Sequence, residues 1–173
     1  MSQIILPNDI YNDGPNYPGK PIIKIFLAGT IDNGNSYDWQ YEMIINLSQL
    51  EDYNFKIYNP RRVNWNPHCS DSDLKYQIKW ELEHLDESDI IIMYLDDESK
   101  SPISLLELGL YAQSKKLFVI CGKDFYRKMN VFITCQKYDI PYIIIDEPLR
   151  FAGNKNWNEV IEHIKNIIEL IKK

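Results

Sequence analysis

Short apolar runs alternate with longer amphipathic stretches along most of the chain. Five short runs, several of them rich in β-branched residues, are typical of strands buried on both faces. These predicted strands are Ile22–Ala28, Phe55–Tyr58, Ile90–Leu95, Leu117–Cys121 and Tyr142–Ile145. Between and after them, apolar residues recur at the spacing of an amphipathic helix. The predicted helices are Tyr37–Leu50, Ser72–Glu87, Ile103–Ser114, Asp124–Lys137 and Asn156–Lys172.

This alternation of strands and helices predicts an α/β fold. Parallel strands joined by right-handed helical crossovers form a doubly wound, flavodoxin-like five-stranded sheet with helices on both faces. The expected strand order is 2-1-3-4-5, which puts the switch point between strands one and three. Open sheets of this kind bind ligands in the crevice at the switch point, outside the carboxyl ends of the strands.

The predicted organisation is an N-terminal arm, residues 1–20, followed by a single domain, residues 21–173. Three prolines and two glycines make the arm mostly irregular, with a short strand expected at Ile4–Leu6. A chain of 173 residues is long enough to bury a core, and its hydrophobic share of 45% argues against disorder.

Charge and cysteine usage exclude several function classes. The net charge of −6 argues against a general nucleic-acid binder, which needs an excess of positive charge. No apolar run approaches transmembrane length, and no signal peptide is recognisable, so no membrane association is predicted. The three cysteines are odd in number and far apart, which favours reduced thiols and a cytoplasmic location. Without metal-ligand spacing, a G-x-G-x-x-G motif or a Walker loop, the sequence predicts no metal and no cofactor.

The stretch Asp89–Gly109 contains the leading candidate for chemistry. It combines the third strand, a polar turn and a helix, for which Ser101 is the expected N-cap and Pro102 the first residue. The helix is apolar nearly all round except for Glu107, just past the end of a central strand. A carboxylate there could attack an anomeric carbon and form a glycosyl-enzyme ester. Alternatively, the helix has a narrow solvated stripe, made of Ser104, Glu107, Tyr111 and Ser114.

A second acid, Glu81, lies beside the apolar stripe of the preceding helix. The stripe consists of Leu74, Ile78, Leu82 and Leu85. Glu81 could donate a proton or position the substrate, and the alternative is a surface acid on a charged helix. Across the expected crevice, the first strand ends in Ala28, Gly29 and Thr30, whose small size would let a ligand approach the backbone closely.

Other polar and aromatic residues have two possible roles each. Arg61 and Arg62 could bind a phosphate or form a solvated turn. Asp89 could contact a ligand through the pocket floor or cap the start of its strand, and the second role is favoured. Three aromatic residues could stack a base or pack in the core: Trp39, Trp65 and Tyr94.

The order and spacing of six short segments resemble a known family. The segments are Phe26–Asp32, Asp38–Gln40, Asn59–Arg62, Gln77–Glu81, Ser88–Met93 and Ser101–Gly109. They cover most of residues 24–125 and resemble the nucleoside 2-deoxyribosyltransferase-like superfamily, closest to a divergent branch of it.

The resemblance implies roles for individual residues. Glu107 corresponds to the nucleophile of that family, and Glu81 to an acid that assists catalysis. At the position of Ser101 the transferases carry an aspartate that contacts the nucleoside, whereas the related deoxynucleotide N-hydrolases carry a serine near the phosphate. Ser101 therefore favours a nucleotide, with Arg61 or Arg62 as its phosphate partner. The expected substrate-binding residues are Ala28, Gly29, Thr30, Asp32, Trp39, Asn59, Arg61, Arg62, Asp89 and Ser101.

The function implied is cleavage of the N-glycosidic bond of a (deoxy)nucleoside or its 5′-monophosphate. Glu107 forms a glycosyl-enzyme intermediate that water or a second base resolves, with proton help from Glu81. Burial opposes the ionisation of a nucleophilic carboxylate, and Tyr94 or Tyr111 is a candidate donor of a compensating hydrogen bond. The resemblance also implies a homodimer or higher homo-oligomer, in which a neighbouring subunit completes each site.

Two other function classes fit the same fold. A non-catalytic nucleotide-binding or regulatory protein is left open, because Ser104, Leu105 and Leu106 replace the glycines that usually precede the nucleophile in the family. A receiver-like signalling domain has less support, because no acidic cluster follows the first strand.

Overall fold

One parallel β-sheet forms the centre of the protein. The computed structural model describes residues 2–7, 19–62, 69–151 and 154–172, and within these ranges the sheet has six strands. The strands are β1 (Ser2–Ile5), β2 (Ile22–Gly29), β3 (Asn54–Tyr58), β4 (Ile90–Leu95), β5 (Leu117–Gly122) and β6 (Tyr142–Ile145). Each pair of neighbouring strands runs parallel.

Helices cover both faces of this sheet. They are α1 (Trp39–Ser48), α2 (Asp71–Glu87), α3 (Pro102–Tyr111), α4 (Lys128–Tyr138) and α5 (Asn154–Ile171). Side chains of α1 and α5 pack against one face, and those of α2, α3 and α4 pack against the other. The predicted α/β class, a parallel sheet with helices on both faces, is confirmed. None of the helices in the described ranges is long and apolar enough to cross a membrane.

The number and order of strands differ from the prediction. The observed order is β1-β3-β2-β4-β5-β6, so the stated five-stranded order is wrong. The additional strand comes from the predicted arm, because Ser2–Ile5 pairs with β3 at the edge of the sheet. Its four residues include two polar ones, which is too short a pattern to predict a place in the sheet. The other five strands keep the expected relative positions, with β2 between β3 and β4.

The central strand β4 is buried along its whole length. Its alternate residues enter two separate apolar layers: Ile90, Ile92 and Tyr94 in one, Ile91, Met93 and Leu95 in the other. A strand covered by helices on both faces gains from apolar residues at every position, which explains the uninterrupted apolar run.

Gly29 lets the ends of β2 and β4 approach each other closely. Its φ is +126°, and a Cβ atom at this position would overlap the carbonyl group of Tyr94. The next residue continues the pairing, since the backbone N–H of Thr30 donates to the Tyr94 carbonyl at 2.9 Å. The absence of a side chain at Gly29 therefore sets the width of the crevice edge.

Gly29→Ala is expected to lower the free energy of unfolding by at least about 2 kcal/mol, because the methyl group strains the backbone and displaces β4. Urea unfolding followed by circular dichroism measures the change. Gly109→Ala is the matched control, since nothing lies within 4 Å of a Cβ there. Alanine within α3 should be neutral or stabilise by up to about 1 kcal/mol. Equal losses in the two variants would contradict the role assigned to Gly29.

Candidate active site

A cleft of about 540 Å³ opens at the carboxyl edge of the sheet. Its walls come from β2 and the turn after it, the loop after β3, and the helices α2 and α3. Six of the predicted site residues line it: Ala28, Gly29, Asp32, Glu81, Ser101 and Glu107. The cleft lies at the switch point of the sheet, where doubly wound folds bind their ligands.

Glu107 is buried in the wall of this cleft. It is only 8% exposed, and Ser104, one turn earlier on α3, is buried as well. The exposed face of α3 is instead apolar, since Ile103, Leu106 and Leu110 are 60%, 59% and 60% exposed. The solvated polar stripe considered for this helix is therefore wrong, because α3 turns its polar side toward the cleft.

The surroundings of Glu107 favour its protonated form. Burial, with a smaller contribution from the negative charge of Glu81, raises the pKa of the Glu107 carboxyl to about 8. Among the described residues, no hydrogen bond to this carboxylate offsets the effect. The two tyrosines considered as donors are engaged elsewhere: Tyr94 donates to Asp96 and Tyr111 to Asp86, each at 2.7 Å.

Glu81 lines the same cleft in a different environment. Burial raises the pKa of its carboxyl, and both a hydrogen bond from Gln77 and the positive charge of Arg62 oppose this rise. Gln77 Nε2 donates to Glu81 Oε1 at 2.6 Å, and Gln77 Oε1 accepts from Arg62 Nε at 2.7 Å. The sequence prediction assigned no role to Gln77, although its position four residues before Glu81 on a helix is a signal of contact.

A chain of hydroxyl groups borders the cleft beside Ser101. Ser101 Oγ lies 2.7 Å from Thr30 Oγ1 and 2.7 Å from Ser99 Oγ. Ser99 Oγ donates to Asp32 Oδ1 at 2.9 Å, because a carboxylate only accepts. Ser99 has no second proton, so Ser101 donates to Ser99, and Thr30 in turn donates to Ser101. The Ser101 oxygen can consequently only accept a further hydrogen bond.

Ser101 begins α3 in an unusual backbone conformation. Its φ of +42° is left-handed, and Pro102 follows as the first helical residue, as predicted. The side chain makes no capping hydrogen bond to the helix, contrary to the expected N-cap contact. A strained backbone turns the hydroxyl toward Thr30 and Ser99 instead. Sequence reasoning missed Ser99, because only the turn brings it to the cleft.

The cleft is acidic. Asp32, Glu81 and Glu107 line it, and among the described residues of its wall there is no lysine, arginine or histidine. Within the same described ranges, no group of three or more histidine, cysteine or acidic side chains could hold a metal ion. These walls suit a neutral or cationic ligand better than an anion.

Arg61 and Asn59 lie in a neighbouring groove of about 800 Å³, not in the cleft. Asn59 Oδ1 accepts from the backbone N–H of Arg61 at 3.0 Å. The Arg61 guanidinium donates to the carbonyls of Gly34 and Ser36 at 2.9 and 2.7 Å, and pairs with Asp38 at 3.4 Å. These contacts hold the turn after β2, so the geometry does not favour the phosphate-binding role expected for Arg61.

Two expected substrate-binding residues lie away from the cleft. Trp39 is fully buried, and its Nε1 donates to the Thr30 carbonyl at 2.9 Å, so it supports the end of β2. Asp89 precedes β4 at the amino edge of the sheet, where its carboxylate accepts from the backbone N–H of Lys24 at 2.8 Å. A strand of this length puts Asp89 roughly 20 Å from the carboxyl edge. Neither position favours the substrate-binding role expected for these two residues, and Trp65 lies outside the described residues.

Comparison with known protein families gives a match for the central part of the chain. Residues 22–125, more than half of the 173 residues, match the family model described as nucleoside 2-deoxyribosyltransferase like. No curated protein sequence matches the chain.

A solved structure, the 2-deoxyribosyltransferase of the psychrotolerant bacterium Bacillus psychrosaccharolyticus, has a similar fold. The similarity has a TM-score of 0.54 and 20% identity, over 79% of this chain and 89% of that one. At this identity the likeness concerns the fold alone. The match over residues 22–125 shows that the chain belongs to the nucleoside 2-deoxyribosyltransferase-like family.

Proposed function

We propose that the protein is an enzyme that cleaves the N-glycosidic bond of a nucleoside, with Glu107 as nucleophile and Glu81 as its acid–base partner. The observation that carries the proposal is the pair of acidic side chains in one cleft at the switch point. Burying two carboxylates together is costly, and such pairs cluster at functional sites. A non-catalytic nucleotide-binding protein, the alternative, would not need them.

The proposed reaction has two steps. The sugar lies over Ala28 and Gly29, the small residues at the end of β2, and next to Thr30. A carboxylate oxygen of Glu107 bonds to C1′, the C1′–N bond breaks, and the base departs with the bonding electrons and takes up a proton. Water then adds to C1′, which breaks the ester and returns a proton to the pair of acids. If a second base replaces water, the outcome is base exchange.

The substrate that fits these walls best is an uncharged nucleoside. A 5′-phosphate would face the acidic side chains of Asp32 and Glu81 without a cation on the described walls. The Ser101 oxygen can accept a hydrogen bond from a sugar hydroxyl, but its own proton is already donated to Ser99. This reverses the expectation, based on Ser101, that a nucleotide is preferred.

We expect the protein to release free base when it is incubated with a panel of ribo- and deoxynucleosides and their 5′-monophosphates. Chromatography measures the free base. We expect kcat/KM to be at least about 10-fold higher for the preferred nucleoside than for its monophosphate, because like charges raise the barrier. Glu107→Ala should lower base release by at least about 1,000-fold, since the nucleophile is lost.

Glu159→Ala, an exposed acid on α5, is the matched control and should keep full activity. No base release from any compound by the wild-type protein would reject the enzyme and favour the binding-protein alternative. Preference for monophosphates would reject the uncharged substrate. Adding a second free base separates transfer, which yields a new nucleoside, from hydrolysis, which does not.

The raised pKa of Glu107 also predicts how stability depends on pH. The folded protein keeps a proton that the unfolded chain releases, so stability falls as the pH rises from the ordinary carboxyl range through about 8. Glu107→Gln is neutral at every pH and should raise the free energy of unfolding by about 2–4 kcal/mol at pH 8. At pH 4.5 the gain should be small. Urea unfolding at both pH values, with Glu159→Gln as control, measures this, and an equal gain at both would contradict a buried protonated Glu107.

We also propose that the protein forms a homodimer or higher homo-oligomer through apolar faces that flank the cleft. The exposed aliphatic residues of α2 and α3 are Leu74, Ile78, Leu82, Ile103, Leu106 and Leu110. Each set recurs at helical spacing and so forms a stripe, and contiguous exposed stripes mark interaction surfaces. Leu74, Ile78 and Ile103 also line the cleft, so a partner on this surface would narrow its mouth.

Leu106→Lys should shift the protein toward the monomer, because a charge in an apolar interface is not compensated. Sedimentation velocity over a range of concentrations measures the shift. Leu170→Lys is the matched control, since Leu170 is 69% exposed on α5, which packs on the opposite face of the sheet. A wild-type protein that sediments as a monomer at all concentrations would reject the proposed assembly.

A reducing compartment such as the cytoplasm is proposed for the protein, because all three cysteines are free thiols. Burial raises the pKa of Cys121 to about 12 and that of Cys135 to about 11. Both are therefore protonated at neutral pH, and their thiols are poor nucleophiles.

A further inference from the structure

Gln77 links the cleft to the loop after β3 through both ends of its side-chain amide. It is buried on α2, with Nε2 donating to Glu81 at 2.6 Å and to the Pro60 carbonyl at 3.1 Å. Its Oε1 accepts from Arg62 Nε at 2.7 Å. Arg62 can only donate and the Pro60 carbonyl can only accept, so the amide has one possible orientation. The N–H group of Gln77 is therefore always directed at Glu81.

This arrangement gives the two glutamates of the cleft different surroundings. Glu81 accepts a short hydrogen bond and lies near the Arg62 guanidinium, and both interactions favour a negative charge. Glu107 is more deeply buried and receives no hydrogen bond from the described residues. Of the two carboxyl groups, Glu81 is thus the easier one to ionise.

We propose that Gln77 is a positioning residue that keeps Glu81 ionised and leaves the single proton of the pair on Glu107 before the substrate binds. This inference rests on the proposed glycosidic cleavage and assigns the proton that the reaction requires.

The other charged and titratable groups around the pair agree with this assignment. Asp32, on the turn after β2, lines the cleft and disfavours a second negative charge in it. Arg62 comes from the loop after β3 and favours the charge on Glu81. Tyr111 follows Glu107 on α3, and burial together with its hydrogen bond to Asp86 raises the pKa of its phenol, which stays neutral.

One proton on the pair balances the cleavage step. Glu107 loses its proton as its oxygen forms the bond to C1′, and the departing base takes up that proton with the electron pair of the broken C1′–N bond. Glu81 accepts this proton from Glu107 and passes it to the base, so Glu81 is negative before and after the step. An enzyme with both acids protonated lacks this negative charge, and one with both ionised lacks the proton.

The pH profile of base release tests the role of Gln77. Gln77→Met keeps the length of the side chain and removes the N–H donor, so the ionised form of Glu81 is less favoured and its pKa rises. The acid limb of the profile should therefore move to higher pH by about 1–2 units, while the basic limb, set by Glu107, moves less. Gln136→Met, the same substitution at an exposed position of α4, should leave both limbs in place. An unmoved acid limb in active Gln77→Met would overturn the proposal.

A carbon-13 NMR titration of glutamate-labelled protein gives a readout that needs no activity. The lower of the two buried titration steps should disappear in Glu81→Gln and move up by about 1–2 units in Gln77→Met. The proposal would be overturned if the lower step disappeared in Glu107→Gln instead of Glu81→Gln, or if it did not move in Gln77→Met. This holds even if the protein releases no base. Gln77→Asn is a second variant that keeps a polar side chain at this buried position. Being one methylene shorter, it should move the step in the same direction if Gln77→Met does not fold.

Discussion

The removal of two carboxyl groups from water is the constraint on which the site depends. An unpaired charge in a protein interior costs several kcal/mol, and the cost is higher when a second like charge is near. For Glu81 this cost is offset by the Gln77 amide and by Arg62, whereas Glu107 receives no hydrogen bond from the described residues. Because the compensation is unequal, we expect Glu81 to lose its proton at a lower pH than Glu107. Such an arrangement costs stability and is typical of sites kept for chemistry.

The fold around the pair holds the crevice edge in one geometry. Gly29 brings the ends of β2 and β4 together, and the turn that follows β4 is fixed by the buried carboxylate of Asp96. That carboxylate accepts from Tyr94 at 2.7 Å and pairs with Arg150 at 3.5 Å. The segment before α5 thereby supports the turn that carries Ser101. The hydroxyl chain at the cleft is a consequence of this support, since a small shift of the turn would break it.

The two arginines after β3 have structural contacts and do not line the cleft. Arg61, on the loop after β3, interacts with backbone carbonyls and with Asp38, and Arg62 interacts with Gln77, so neither extends into the cleft. The polar side chains that line the cleft include the acids, Ser101, Ser104 and Asn33. Around them, the exposed apolar stripes of α2 and α3 flank the mouth of the cleft. The proposed assembly and access to the cleft therefore involve the same two helices.

The alternation of apolar runs by itself determined the α/β class. It also predicted that Glu81, Glu107 and the small residues at the end of β2 lie at one edge, because parallel strands end on the same side of a sheet. The pattern could not decide how α3 is rotated, since a helix that is apolar nearly all round has no preferred face. Only the tertiary structure showed that its polar side faces the cleft. It also decided the pairing of β1 with β3, the partners of Arg61 and Arg62, and the direction of the hydroxyl chain. Each of these depends on contacts between residues distant in sequence, and local propensity and periodicity contain no information about such contacts.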